Sequence, residues 1–310
     1  MEIAPQFRYG SVQYFDVIGF AVPTNVVFPA AAAALYFVMI ACKKQLKMNI
    51  PLWFVVFHNA AMIALALLVL VGTLVGAYER AMDPTLGGVA GLFCPPKILQ
   101  PDQLMTGTLG FFVYIFHLSK YLELIDTFIL IAKGKDLKVI HCYHHCIMLF
   151  VTWSWFVFPW LEGAWWCAVV NSIIHSFMYY YYMQAALHKD KKIWWAKYLT
   201  SGQLFQGCFP SHPSQPPFSA ALSHALTIQI LQFFTGMVVV AHSFYLGSCS
   251  GDKRTGVFST VVNVSFFVLF LDFFGKKYKN GEESPGKSNS SPKPSIATPK
   301  GDLPEAKKGK

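Results

Sequence analysis

The chain has 310 residues, of which 54% are hydrophobic and only 13% charged, with a mean hydropathy of +0.42 and a formal net charge of +9. Soluble domains carry about 25% charged residues. That shortfall, with apolar residues grouped in runs near the ~20 residues that cross a bilayer core, excludes an ordinary water-soluble globule. The expected fold class is an all-α membrane protein with seven transmembrane helices.

The predicted spans are 16–41, 52–78, 107–131, 139–160, 164–187, 222–247 and 256–275. Residues 1–15 form a segment before the first span. They lack a basic stretch leading into a short apolar core, so the first span is expected to serve as the targeting signal. Basic residues follow every odd span: Lys43, Lys44 and Lys47, then Lys133, Lys135 and Lys138, then Lys189, Lys191 and Lys192, then Lys276, Lys277 and Lys279. Positive charge stays on the cytosolic side. The expected topology therefore has a lumenal N-terminus and a cytosolic C-terminus, with one seven-helix domain over 16–275.

On that topology Cys94 and Cys249 fall in lumenal loops, an oxidising place. A disulfide between them is expected, two free thiols being the alternative. Cys42, Cys142, Cys146 and Cys167 read as small packing residues.

The third and fourth spans carry Lys120, Glu123, Asp126, His141, His144 and His145. An ionisable residue inside a span is costly and marks function. In "KYLELIDT", Lys120, Glu123 and Thr127 share a helical face, with Asp126 beside it. Opposite charges can neutralise one another where water is scarce. In "HCYHH", positions 141, 144 and 145 stand at i, i+3 and i+4, an imidazole stripe near the cytosolic end of the fourth span. The fifth span carries "NSIIHSFMYYYY", which sets Asn171, His175 and Tyr179 four apart and extends through Met178 and Tyr182.

Residues 276–310 are rich in Lys, Ser, Pro and Gly and hold nine Lys against four acids. They cannot bury enough apolar surface to fold alone and read as a disordered basic cytosolic tail. Its expected partner is anionic membrane lipid, not nucleic acid. Lys307 and Lys308, near the end of "KKGK", resemble a di-lysine retrieval signal, which points to the endoplasmic reticulum membrane.

K-x-x-E-x-x-D-T, H-x-x-H-H and N-x-x-x-H-x-x-M-Y-x-Y-Y, in this order and spacing, resemble the ELO family of very-long-chain fatty-acid elongases. The similarity covers roughly residues 20 to 280. The family continues with T-x-x-Q-x-x-Q-F at its sixth span. Here Thr200, Gln203 and Gln206 fit that spacing, but Gly207 and a Pro/Ser-rich stretch follow, where no span can start. Without residues 201–226, Thr200 would join Gln229, Gln232 and Phe233 in register. Residues 201–226 are therefore expected to be a cytosolic insertion, with a translated unspliced intron and a genuine loop both left open as its origin.

The resemblance implies an acyltransferase, the 3-oxoacyl-CoA synthase that condenses malonyl-CoA with a long-chain acyl-CoA. The "NS" opening of the fifth-span motif looks like the branch acting on polyunsaturated chains. By family analogy His144 is the nucleophile, giving an acyl-imidazole, with His175 as its partner or base. His141 and His145 complete the catalytic set. Lys120, Glu123, Asp126, Thr127, Asn171, Met178, Tyr179, Tyr182, Gln229 and Gln232 are expected to bind substrate or orient the site. No cofactor and no metal are expected beyond the two CoA substrates. The other enzymes of the elongation cycle and a second copy of the chain are further expected partners. Two other readings stand beside this one: a membrane di-iron desaturase or hydroxylase, which needs more histidine boxes than this sequence offers, and a non-enzymatic seven-helix receptor or transporter.

The topology has a direct check. Sequons occur at Asn263, inside a span, and Asn289, in the cytosolic tail, and neither should carry glycan. Glycosidase treatment should leave electrophoretic mobility unchanged; a mobility shift abolished by Asn289→Gln would place the tail in the lumen.

Overall fold

A computed structural model describes residues 25–99, 104–105, 107–188, 238, 241, 249 and 251–282. Its described regular elements are helices, joined by one isolated antiparallel bridge between Pro96 and Cys249. The α-helices are α1 (Val27–Ala41), α2 (Leu52–Met82), α3 (Gly88–Phe93), α4 (Gly107–Leu122), α5 (Leu124–Ala132), α6 (Val139–Val157), α7 (Leu161–Leu187) and α8 (Lys253–Glu282), with a 3₁₀ turn at Pro84–Leu86. The chain divides into two units, Met1–Phe270 and Leu271–Lys310. In the second unit the described residues are the last turns of α8.

Helix α1 begins where the Asn25 side chain accepts a hydrogen bond from the Val27 backbone N–H at 2.9 Å. Its alanine run costs little side-chain entropy in a helix. Helix α2 starts immediately after Pro51, which cannot donate to a preceding turn. It is 31 residues long, and among the described residues it is the one helix both long and apolar enough to cross a membrane. At 1.5 Å per residue it measures about 46 Å. Its buried residues (Val55, His58, Met62, Ala66, Val69, Thr73, Ala77 and Arg80) recur every three or four positions. The other faces of α1 and α2 leave Leu35 71% and Phe57 68% exposed. Large apolar side chains standing free in this way suit a lipid surface.

The predicted third span is two helices. The break falls at Glu123, and no proline or glycine causes it. The Ser119 hydroxyl bonds back to the Phe116 carbonyl at 2.7 Å, which loosens the turn. Glu123 then turns its side chain into the interior. Helix α5 closes at Gly134, with φ of +65°. The Gly134 N–H donates to Ile131 and the Lys135 N–H to Leu130, both at 2.9 Å. This is a Schellman cap, which favours glycine at its left-handed position.

Helix α2 packs most extensively on α7 and next on α4. The core joins Leu109, Val113 and Phe116 of α4, Trp155 and Phe156 of α6, and Ala164 and Ala168 of α7. The Phe116 and Trp155 rings stack with centroids 6.0 Å apart and planes 8° from parallel. Cys94, after α3, is bonded to Cys249, S–S 2.07 Å, joining residues 155 apart in sequence. Against the expectation that the remaining cysteines are packing residues, Cys42 is exposed; it caps the C-terminus of α1, where no helix among the described residues covers it.

Several ends differ from those read in the sequence. Helix α2 runs on to Met82, α6 stops at Val157, α7 starts at Leu161, and α8 spans Lys253–Glu282, beyond the predicted 256–275. The predicted first span lies partly, and the predicted sixth almost wholly, outside the described residues. So do residues 201–226, Asn289, Lys307 and Lys308.

Gly76 marks the closest approach of α2 and α4. A Cβ there would lie 2.4 Å from the Leu109 backbone nitrogen, an atom that cannot swing aside. Gly76→Val should therefore push the helices apart and cost about 1–3 kcal/mol, read as a lower thermal midpoint of the detergent-solubilised protein.

Candidate active site

The site is organised by the end of α4 and the start of α5. Lys120 is 1% exposed. Its Nζ donates to Glu123 Oε1 at 2.5 Å and to Asn171 Oδ1 at 2.8 Å, and lies 4.0 Å from the Phe116 ring centroid. Glu123 is equally buried. Its Oε1 also lies 3.3 Å from His175 Nδ1. A carboxylate oxygen only accepts, so this contact selects the His175 tautomer with its proton on Nδ1.

One turn along α5, Asp126 receives two donors. His58 Nε2 lies 2.8 Å from Oδ1, and the Tyr179 hydroxyl donates to Oδ2 at 2.6 Å. A carboxylate oxygen only accepts, so in this pairing the donor is His58 Nε2–H. Next to it, Thr127 Oγ1 lies 2.8 Å from His141 Nε2 and 3.1 Å from the Tyr36 hydroxyl. Residues 120–127 thus touch α1, α2, α6 and α7 through side-chain hydrogen bonds.

The α6 histidines are not one flat stripe. His141 and His145 are buried with ring centroids 4.3 Å apart. His144 is half-buried, 5.4 Å from the His145 ring and 5.4 Å from Phe266 of α8. Helical geometry explains this: successive residues turn by about 100°, so 144 and 145 splay to either side of 141. His145 Nδ1 has no hydrogen-bond partner although it is buried. His144 and His145 both lie within electrostatic range of Glu123 and His175.

A narrow cleft runs between α2, α4 and α7. Lys120, Glu123, Asn171, His175 and Tyr179 form its polar end, and Met62, Ala66 and Val69 of α2 form its apolar wall. His144 is not among its lining residues. Of the other predicted site residues, Met178 is buried in an apolar cluster with Met62 and Tyr179, and Tyr182 packs against that cluster. The Tyr182 hydroxyl makes no hydrogen bond. Gln229 and Gln232 lie outside the described residues. Among the described residues no group of three or more His, Cys, Asp or Glu side chains is arranged to hold a metal ion.

Sequence reasoning passed over His58 and Tyr36. His58 carried a usable signal, since it is an ionisable residue inside an apolar run. It also passed over His117, which is fully buried. Its Nδ1 lies 2.7 Å from Thr152 Oγ1, and that hydroxyl donates to the Met148 carbonyl at 2.8 Å. His117 therefore donates from Nδ1, and the Tyr121 hydroxyl approaches its Nε2 at 3.4 Å.

The sequence profile described as the GNS1/SUR4 family, ELO, matches residues 21–211 and 216–286. The chain belongs to the ELO family. The interruption in the match, between 211 and 216, falls inside the 201–226 segment. The chain is similar to fatty acid elongase sre1 of Dictyostelium discoideum, 32% identical over 273 residues, which cover 86% of this chain and 89% of that protein. It is 28% identical over 282 residues to fatty acid elongase A of the same organism, covering 86% and 88% of the two chains. A shorter match, 40% identical over 96 residues, covers 29% of this chain and 31% of very long chain fatty acid elongase 5 of Pongo abelii.

The buried ion pair gives a stability test. Glu123→Gln removes the counter-charge of Lys120 and should destabilise the protein by about 3–5 kcal/mol. Thermal unfolding of the purified variant measures this, and an unchanged midpoint would mean that the pair is solvated.

Proposed function

We propose that this ELO-family chain is a fatty-acid elongase acting at the condensing step: acyl-CoA and malonyl-CoA give 3-oxoacyl-CoA, CoA and carbon dioxide. The observation that carries the reading is the buried His175 of α7, its Nδ1 3.3 Å from Glu123 Oε1, in a cleft with Lys120 and Asn171. The names of the relatives as fatty acid elongases support it.

In this reading His144 attacks the acyl thioester, the C–S bond breaks, and the departing CoA thiolate takes up the proton shed by the acylated imidazole. His175 Nε2 relays that proton. Malonyl-CoA then loses carbon dioxide. The electron pair left on its α-carbon attacks the acyl-imidazole carbonyl, forming the new C–C bond and breaking the C–N bond; the imidazolate that leaves takes one proton from solvent, the proton that the overall reaction consumes. His141, His145, Asn171, Gln229 and Gln232 position groups and donate to developing oxyanions. Tethering both substrates beside one imidazole supplies much of the rate. The "NS" of Asn171 and Ser172 favours polyunsaturated acyl chains as substrates.

The topology follows the same logic. Seven spans with a cytosolic C-terminus place the histidine end of α6 beside Lys133, Lys135 and Lys138, on the side where CoA is available. The Cys94–Cys249 bond at the far end of α2 suits an oxidising lumen, and the Lys307–Lys308 signal favours the endoplasmic reticulum.

Microsomes containing the full chain, given labelled malonyl-CoA and a panel of acyl-CoAs, should form labelled 3-oxoacyl products. His144→Ala should lower their formation at least about 10²-fold. Undiminished product from that variant would discard the acyl-imidazole. Stoichiometric iron in the purified protein would favour the desaturase reading instead.

A further inference from the structure

We propose that His58 of α2 is a positioning residue for the α7 imidazole, acting through Asp126 and Tyr179. The inference rests on the condensing-site reading of His175. Three features carry it. His58 is buried within an apolar run, "FVVFHNAAM", and points its Nε2–H at Asp126 Oδ1, 2.8 Å away. The second Asp126 oxygen accepts from the Tyr179 hydroxyl at 2.6 Å. The Tyr179 ring then stands edge-on to two imidazoles at once, 5.6 Å from His175 and 6.1 Å from His58.

Tyr179 is thus fixed at its hydroxyl by Asp126 and along its ring by two histidines. It forms part of the wall of the cleft that holds His175 and Glu123. Among the described residues His175 has one polar tether, Glu123 at 3.3 Å, which is long for a charge-assisted contact. Its ring angle therefore depends on what packs beside it, and Tyr179 is its neighbour one turn along α7. Removing the His58 donor leaves Asp126 Oδ1 buried without its partner. The carboxylate must then turn or take up a proton, and either change releases the Tyr179 hydroxyl. His58 touches neither thioester nor malonyl group in this arrangement, so its effect should fall on turnover and not on substrate affinity. A misplacement of about 1 Å at a reacting group costs on the order of 10²-fold in rate.

The test uses the full-length chain in microsomes, with kcat and KM measured for acyl-CoA and malonyl-CoA, and folded protein quantified by gel filtration in detergent. His58→Gln keeps an N–H donor near the imidazole Nε2 position and should retain kcat within about threefold. His58→Leu should lower kcat on the order of 10²-fold, with both KM values within about twofold and folded yield unchanged. Tyr179→Phe cuts the same chain at its other end while keeping the ring, and the double variant should lose no more than the worse single one. The proposal is overturned if His58→Leu turns over like the wild type, if His58→Gln is as impaired as His58→Leu, or if the loss appears in KM. Additive effects of the two cuts overturn it as well. Should His58→Leu fail to fold, wild-type kcat in Tyr179→Phe refutes the linkage. Absence of elongated product from the wild-type chain is a different result: it removes the functional reading, and this inference with it.

Discussion

The Lys120–Glu123 pair is the constraint on which the rest of the arrangement depends. Two ions, each 1% exposed, cannot stand in an apolar interior alone, since the desolvation penalty is several kcal/mol per ion. Their spacing of three residues brings them together across one turn. That contact is local and does not need the rest of the fold. What the fold adds is the saturation of the remaining valences. The ammonium gives its second hydrogen bond to Asn171 of α7 and turns another side to the Phe116 ring. The carboxylate is left to meet His175, also on α7. Asn171 and His175 are one helical turn apart, so a single ion pair on α4 fixes both the height and the rotation of α7 against it.

Residues 120–127 repeat one device three times: a polar side chain on this segment meets at least one partner from a helix distant in sequence. Glu123 takes Lys120 and His175, Asp126 takes His58 and Tyr179, and Thr127 pairs with His141 and Tyr36. Glu123 keeps helical dihedrals, φ −62° and ψ −20°, and its N–H still bonds to the Ser119 carbonyl at 3.0 Å. Positions 123, 126 and 127 therefore fan out at about 100° per residue and meet different neighbours.

The spacing within motifs was legible in the sequence because it is local. Lys120 and Glu123 at i and i+3 state their own pairing, and the order of the three motifs states the family. The stripe at His141, His144 and His145 was legible as a helical face, but not that His144 would turn towards Phe266, since that depends on where α8 lies. The partnerships of His58 with Asp126 and Tyr36 with Thr127 join residues 68 and 91 apart. No spacing rule reaches that far, and a single histidine or tyrosine in an apolar run gives no partner's name. Helix ends were misplaced for a physical reason. The N-terminal flanks Lys138 and Trp160 make no side-chain cap hydrogen bond, so the usual Ser, Thr, Asp or Asn marker is absent. The break at Glu123 has no proline or glycine to announce it.

The same packing bears on why histidine suits this place. In the proposed reaction an acyl-imidazole would be useful only if water did not reach it before the second substrate. Beneath Lys120 the Phe116 ring lies flat on Trp155, and the helix interface around them is filled by Val113, Ala164 and Ala168. That floor is apolar. The polar groups that remain in the cleft are largely committed: Lys120 to Glu123 and Asn171, Tyr179 to Asp126, His175 Nδ1 to Glu123. Among the described groups lining the cleft, the His175 Nε2 is the imidazole nitrogen with no contact assigned above. A serine or cysteine nucleophile would need a separate base to activate it, whereas a neutral imidazole held out of water needs only to be aimed.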